Sequence, residues 1–295
     1  MNLQDFGQTG LRVSPLGFGA MHINDERTSE EDAGRLLNEV LDLGVNLIDT
    51  ARGYGLSEER IGRHIAHRRR DFVLSTKVGY GVEGVPDWTY DCIVQGVERA
   101  LRLMRTDVLD IVHLHSCPLG TLEQGEVTRA LQDCRSAGKL RVAAYSGDNA
   151  EIDFALASGQ FGSLQTSVSV CDQVNLPVRL PEAQRLGVAV IAKRPVAGAI
   201  WRMSERPEAY AEGIYWDRWQ AMGLPTAIPE ADWNALALRF TAFLPGISST
   251  IVGTGKLAHF KHNLAAIEQG PLPASQQHLM RQAFLHQERG WKGLI

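Results

Sequence analysis

Four side chains in this 295-residue chain have the chemistry to move a proton onto a carbonyl group: Asp49, Tyr54, Lys77 and His115. The first two lie in "NLIDTARGYGLSEERIG", where a carboxylate closes an apolar run and a tyrosine follows between glycines. An unperturbed phenol titrates near pH ~10, too high for efficient proton transfer at neutral pH. An ammonium beside it favours the phenolate, and a carboxylate beside the ammonium keeps that charge in place. A nearby histidine could hydrogen-bond a substrate carbonyl oxygen and orient it. No side chain supplies a hydride, so a reduction would need a cofactor. Taken singly, each residue has a plainer role: an aspartate capping a turn, a tyrosine packing in a glycine-rich loop, a lysine snorkelling to solvent. The chemistry requires that the four converge, and convergence depends on the elements that carry them.

Those elements follow from hydrophobic periodicity. "LQDFGQTGLRVS" reads as a hairpin around Gly-Gln-Thr-Gly. After it, short apolar runs alternate with amphipathic segments: "LGFGAM" with "SEEDAGRLLNEVLDLG", which ends at Gly44, then "NLID" with "SEERIGRHIAH", for which Ser57 is the expected N-cap. "FVLSTK", "DVLDIVHLH", "LRVAAYS", "SLQTSV", "VAVIAK" and "STIVGT" continue the strands, and a final helix falls near "ASQQHLMRQAFLHQE". Eight strand–helix units predict an α/β chain with a closed (β/α)8 TIM barrel, an N-terminal β-hairpin and an extra C-terminal helix. No composition break divides the chain, so residues 1–295 are expected to form a single domain. In this fold active sites lie at the C-terminal ends of the strands. Asp49, Lys77 and His115 end or nearly end the second, third and fourth strands, and Tyr54 follows Asp49, so all four would meet on one rim.

Composition narrows the function classes. A net charge of −4 argues against a general nucleic-acid binder, and the basic run "AHRRRD" reads as a solvated helix end. Four cysteines (Cys92, Cys117, Cys134 and Cys171) without CxxC spacing suggest reduced thiols rather than a disulfide framework or zinc site. Neither a signal peptide nor a membrane-length apolar run is recognised. A cytoplasmic location is expected, with no membrane partner, and the oligomeric state is left open.

The chain resembles the aldo-keto reductases over essentially its whole length. The pieces that carry the resemblance are the hairpin, "IDTARGYGLSEERIG", "STKVG", "DVLDIVHLHS", "GKLRVAAYS", "SLQTSV" and "TIVGTGKLAHFKHNLAA". It implies Asp49, Tyr54, Lys77 and His115 as a catalytic tetrad, with Tyr54 the general acid, and a nicotinamide cofactor held without a Rossmann domain. Consistently, no strand-linked GxGxxG occurs. Ser146 and Gln165 align with the carboxamide-binding positions, but the usual Ser-Asn pair is here "SGD", so Asp148 or Asn149 would have to substitute. Lys193 stands where the family usually has a tyrosine stacked on the nicotinamide. Its alkyl stem could lie there instead, with Arg194 reaching a pyrophosphate, or both could merely pair with carboxylates.

Further along, Gly253, Thr254, Gly255 and Lys256 precede a helix whose first amides could hold a phosphate. His259 replaces a frequent arginine, and Asn263 matches the adenine contact. These positions favour NADP, with NAD possible. The substrate pocket would draw on Met21, His22, Trp88, Cys117 and the stretch from Trp201 to Trp219, including Tyr215 and Trp216. Such a lining suits an apolar or aromatic aldehyde or ketone. Two other functions remain open. His113 and His115 share a strand face, as a metal-dependent hydrolase would need, although the later strands add no further ligands. A nicotinamide-binding regulatory subunit with little turnover would also accommodate the Lys193 and "SGD" departures.

Overall fold

In the computed structural model, which describes residues 2–25, 27–228 and 232–294, a two-stranded hairpin precedes a closed barrel of eight parallel strands. The hairpin pairs β1 (Gln4–Asp5) with β2 (Arg12–Val13). The barrel strands are β3 (Leu16–Gly19), β4 (Leu47–Asp49), β5 (Val73–Val78), β6 (Leu109–His115), β7 (Leu140–Ser146), β8 (Ser163–Ser167), β9 (Ala189–Lys193) and β10 (Ser249–Gly253). They pair in sequence order, and β10 closes onto β3. The eightfold alternation expected from the sequence is therefore the one the chain adopts.

Alternation along each strand divides the barrel into an inner and an outer face. One set of alternate residues, including Leu47, Val73, Ile111, Val142, Ala144, Ala189, Ile191 and Ile251, forms a closed apolar cluster with Phe6 and Val13 of the hairpin. This is the floor of the barrel, with the hairpin as its plug. The other set packs against the helices in a larger core. Following the inner face upward from the floor, the apolar residues give way to Asp49, Ser75, Lys77, His113, Ser146 and Gln165, all buried. Polar residues thus replace apolar ones in the upper layer without any change of period. The floor supplies the burial, and the strand ends supply the chemistry.

The helices follow their local signals, with differences. Ser29 caps Glu30–Asp42 by accepting from the Asp32 amide, and Thr89 caps Tyr90–Leu103 by accepting from Cys92. Ser57 does not cap its helix. Leu56 occupies the cap, and the Ser57 hydroxyl is instead buried against Thr50 Oγ1 (2.7 Å) and donates to Ala20 O (3.0 Å). The arginines of "AHRRRD" are also only partly a solvated face: Arg69 reaches Asp110 and the Val108 carbonyl below the barrel.

The aromatic stretch after β9 is largely helical. It contains a helix at Tyr210–Met222, followed by Trp233–Ala242. Tyr215, Trp219 and Met222 lie on one helical face. With Trp233, Phe240, Met280 and Phe284 they build a second apolar cluster.

Candidate active site

At the centre of the site lies a buried charge pair. Lys77 Nζ donates to Asp49 Oδ2 at 2.6 Å and to the Thr50 carbonyl at 2.8 Å, with both side chains almost fully buried. Ser75 Oγ (2.7 Å) and Gln165 Nε2 (2.9 Å) donate to the other Asp49 oxygen. Asp49 is thus satisfied on both oxygens, as a buried carboxylate must be. Burial alone would pull the Lys77 ammonium down, but the Asp49 carboxylate together with the Tyr54 and Tyr80 phenols outweighs it, and its pKa is raised. Lys77 is therefore a fixed cation at every ordinary pH.

That cation lies 5.2 Å from the centre of the Tyr54 ring. Tyr54 stands edge-on to His115, with ring centres 6.1 Å apart. The four residues singled out by sequence are therefore brought together, with the lysine between the carboxylate and the phenol. Burial, and then the charge of Lys77, push His115 down to about 3, so its imidazole is neutral near pH 7. One neighbour carries no sequence signal: Tyr80, in the loop after β5, whose hydroxyl lies 2.7 Å from His115 Nδ1.

His113, two residues earlier, lies below the rim. It is fully buried, with Nε2 3.2 Å from Ser75 Oγ. Burial and then Lys77 lower it to about 4. No cluster of three or more metal-ligating side chains occurs among the described residues, so the two histidines do not form part of a wider ligand set there.

A cavity of about 920 Å³ opens over this group. It is lined by Met21, His22, Asp49, Tyr54 and His115, by Ser146, Gln165, Lys193 and Arg194, and by Gly253, Thr254, His259 and Asn263. The helix Leu257–Glu268, which contributes Ala258 and His259 to the lining, begins with no side chain capping it, so its first amides are available to an anion. A cavity of this size, bordered by both a buried proton-handling group and an uncapped helix start, fits a dinucleotide.

Several expected contacts are placed elsewhere. Lys256 does not line this cavity; it borders a separate depression with Arg27, Thr28 and Arg35. Neither Asp148 nor Asn149 lines it. The fully buried Asp148 accepts from Thr166 Oγ1 (2.6 Å) and the Ser167 amide (3.1 Å) and pairs with Lys193 Nζ (3.0 Å). Asn149 is tied to Gly293 in both directions. Of the two roles open to Lys193, the carboxylate pair is the one formed. Burial lowers its pKa, against the pull of Asp148. Arg194 lines the cavity while donating to the Leu294 carbonyl (2.9 Å).

Trp88, Trp201 and Trp216 are likewise absent from the lining. Trp88 packs edge-on against Tyr80, Trp201 donates to Asn234 and stacks toward Trp219, and Trp216 joins the second apolar cluster with the buried Tyr215. Cys117 is buried beneath the rim. These aromatics hold the upper structure together. Their sequence position placed them near the rim, but side-chain direction, which spacing alone does not give, turned them away from it.

Comparison with known proteins agrees with this geometry. The chain is 28% identical to L-galactose dehydrogenase of Arabidopsis thaliana over 284 residues, covering 91% of this chain and 89% of that protein. It is 26% identical to 6-dehydroglucose reductase of Novosphingobium aromaticivorans over 210 residues, covering 66% of this chain and 69% of that protein. Its structure matches the holo form of aldo-keto reductase AKR11C1 from Bacillus halodurans with a TM-score of 0.84 at 28% identity, covering 96% of each chain. The aldo/keto reductase family model matches residues 15–283. With the closed barrel and the strand-end group of Asp49, Tyr54, Lys77 and His115, that match makes this chain a member of the aldo/keto reductase family and an oxidoreductase of small carbonyl compounds.

Proposed function

We propose that the protein reduces an aldehyde or ketone to an alcohol with NADP(H), Tyr54 delivering the proton. The observation that carries this reading is the buried Asp49–Lys77 pair, with its ammonium 5.2 Å from the Tyr54 ring. When bound, the nicotinamide dinucleotide would supply the hydride. The protein's part is to bind, orient and protonate. Ser146 and Gln165 would take the carboxamide, and Arg194 would approach the pyrophosphate. Gly253, Thr254, His259 and Asn263 would hold the adenosine end.

As charge develops on the carbonyl oxygen, Tyr54 donates its proton there. The Lys77 cation stabilises the phenolate left behind, and Asp49 keeps that cation in place. The neutral His115 directs the carbonyl oxygen toward the phenol. Exclusion of water by the barrel walls strengthens each of these interactions.

The carbonyl compound is proposed to be small and polyhydroxylated. Two relatives carry the names of sugar oxidoreductases, and among the described residues no indole lines the cavity, which disfavours the apolar or aromatic carbonyl that an aromatic lining would suit. Turnover with NADPH across aldose, aliphatic and aromatic carbonyls tests the reading. Activity on the sugar-derived members, with little on aromatic aldehydes, is expected. Tight NADPH binding with no turnover on any of them would instead point to a nicotinamide-binding regulatory protein.

A further inference from the structure

His115 has two ring nitrogens, and its usefulness to a carbonyl depends on which of them carries the proton. Nδ1 lies 2.7 Å from the hydroxyl of Tyr80, whose ring stacks on the imidazole with centres 5.4 Å apart and planes inclined by 26°. The phenol is confined from several sides. Trp88 packs edge-on against it at 6.0 Å, and it has that place because Gly79, at φ +139°, leaves no side chain in the way of the indole. On the other side is Gly53: a Cβ there would lie 3.0 Å from the Tyr80 hydroxyl. The Trp88 amide also donates to the Gly79 carbonyl (2.8 Å), closing the loop that carries Tyr80.

We infer that Tyr80 is a positioning residue: its phenol donates to His115 Nδ1, which holds the imidazole as the Nε2–H tautomer and leaves that N–H to serve the carbonyl oxygen. This rests on the carbonyl-reducing role proposed above. The direction of the bond follows from the partners, because a phenol is the stronger acid and an imidazole nitrogen the stronger base. Burial raises the Tyr80 phenol, so it keeps its proton, and the neutral His115 leaves one nitrogen free to accept. The opposite arrangement would put the proton on Nδ1 and present the Nε2 lone pair to a carbonyl lone pair, which is repulsive. Tyr80 therefore plays for His115 the part that Asp49 plays for Lys77: it fixes the orientation and protonation of a group that acts beyond it.

Tyr80→Phe removes only the hydroxyl and keeps the stacked ring, so a purely packing role would leave the variant unchanged. ¹⁵N spectra of the ring nitrogens, recorded on the protein without cofactor, read the tautomer directly, with the His115 signals identified by their loss in His115→Gln. The expected result is a single Nε2–H form in the wild type and a shift toward mixed tautomers in Tyr80→Phe. Turnover should fall by about 10–100-fold, as when a partner that orients a catalytic group is lost, with NADPH affinity little changed. An unchanged ¹⁵N pattern overturns the inference, and so does near-normal turnover despite a changed pattern. Failure of the carbonyl-reductase reading would show separately, as no turnover of any carbonyl by the wild type, and the tautomer measurement would still test Tyr80 because it requires no substrate.

Discussion

At the scale of single residues, the site works by dividing labour between groups that keep their charge and groups that stay neutral. Lys77 is held charged by Asp49, and His115 is held neutral by burial. Tyr54→Phe should therefore cut turnover by roughly 10²–10⁴-fold, the usual value of a positioned acid, while fluorescence titration shows NADPH binding nearly intact. Lys77→Met should lose a comparable amount, because the phenolate then forms without a cation beside it. It should also destabilise the fold, since Asp49 is left as a buried carboxylate without its counter-charge. Near-normal turnover in Tyr54→Phe would remove the phenol from the mechanism.

A related expectation concerns pH. With its pKa near 3, His115 should show no protonation in NMR titrations between about pH 5 and pH 8, so any limb of the rate profile in that range belongs to another group. The convergence of Asp49, Tyr54, Lys77 and His115 was legible in the sequence because each ends a strand or follows one, and the fold alone brings such positions together. Tyr80 was not. It is 35 residues from His115 in the chain, and a tyrosine in a glycine-rich loop has no pattern that says which way its hydroxyl points.

At the scale of elements, the alternating strands told the most and the aromatic segment told the least. Period-2 alternation marks the inner face of the barrel whether that face carries Leu47 or Asp49, so strand order and the rim positions could be read directly. The region after β9 carries no such alternation, and the stretch from Trp201 to Trp219 stands out only as rich in aromatics. Yet Tyr215, Trp219 and Met222, at spacings of four and three, already described a helix face. What spacing could not supply was the surface that face meets, which is the second apolar cluster rather than the cavity.

This assigns the tryptophans a measurable role. Trp219 is 2% exposed and packs edge-on to Trp233, with ring centres 4.6 Å apart. Trp219→Ala should lower the stability to urea by about 3–5 kcal/mol, the usual cost of emptying a large aromatic site. The Michaelis constant for the carbonyl substrate should stay close to that of the wild type in protein that remains folded. A raised Michaelis constant with unchanged stability would place this helix in the substrate site after all.

At the scale of the whole molecule, the C-terminal residues tie the barrel rim together. The Leu294 carbonyl accepts from Ser167 Oγ (2.6 Å) and Arg194, the Leu294 amide donates to Asp172 Oδ2 (3.1 Å), and Arg218 donates to the Lys292 carbonyl (2.6 Å). Asp172 is the weak point of this junction. It is completely buried, its Oδ1 has no partner, and Arg218 is 3.7 Å away. Burial, then the nearby Asp148 carboxylate, push it up from 3.8 to about 7. Between about pH 4 and pH 7 the folded protein thus holds a proton that the unfolded chain has released. The contribution of Asp172 to stability therefore falls as pH rises through that window and levels off above it.

Asp172→Asn does not titrate. Its amide oxygen can still accept from Leu294 and Tyr215, and its NH₂ replaces the oxygen that had no partner. The melting temperature of Asp172→Asn relative to wild type should therefore rise steadily from about pH 5 to about pH 8, with the charged wild type losing up to a few kcal/mol across the range. Thermal melts of both proteins at several pH values read this difference. If the two melting curves keep a constant separation across that range, Asp172 is already ionised in the fold, and the C-terminal junction rests on its hydrogen bonds alone.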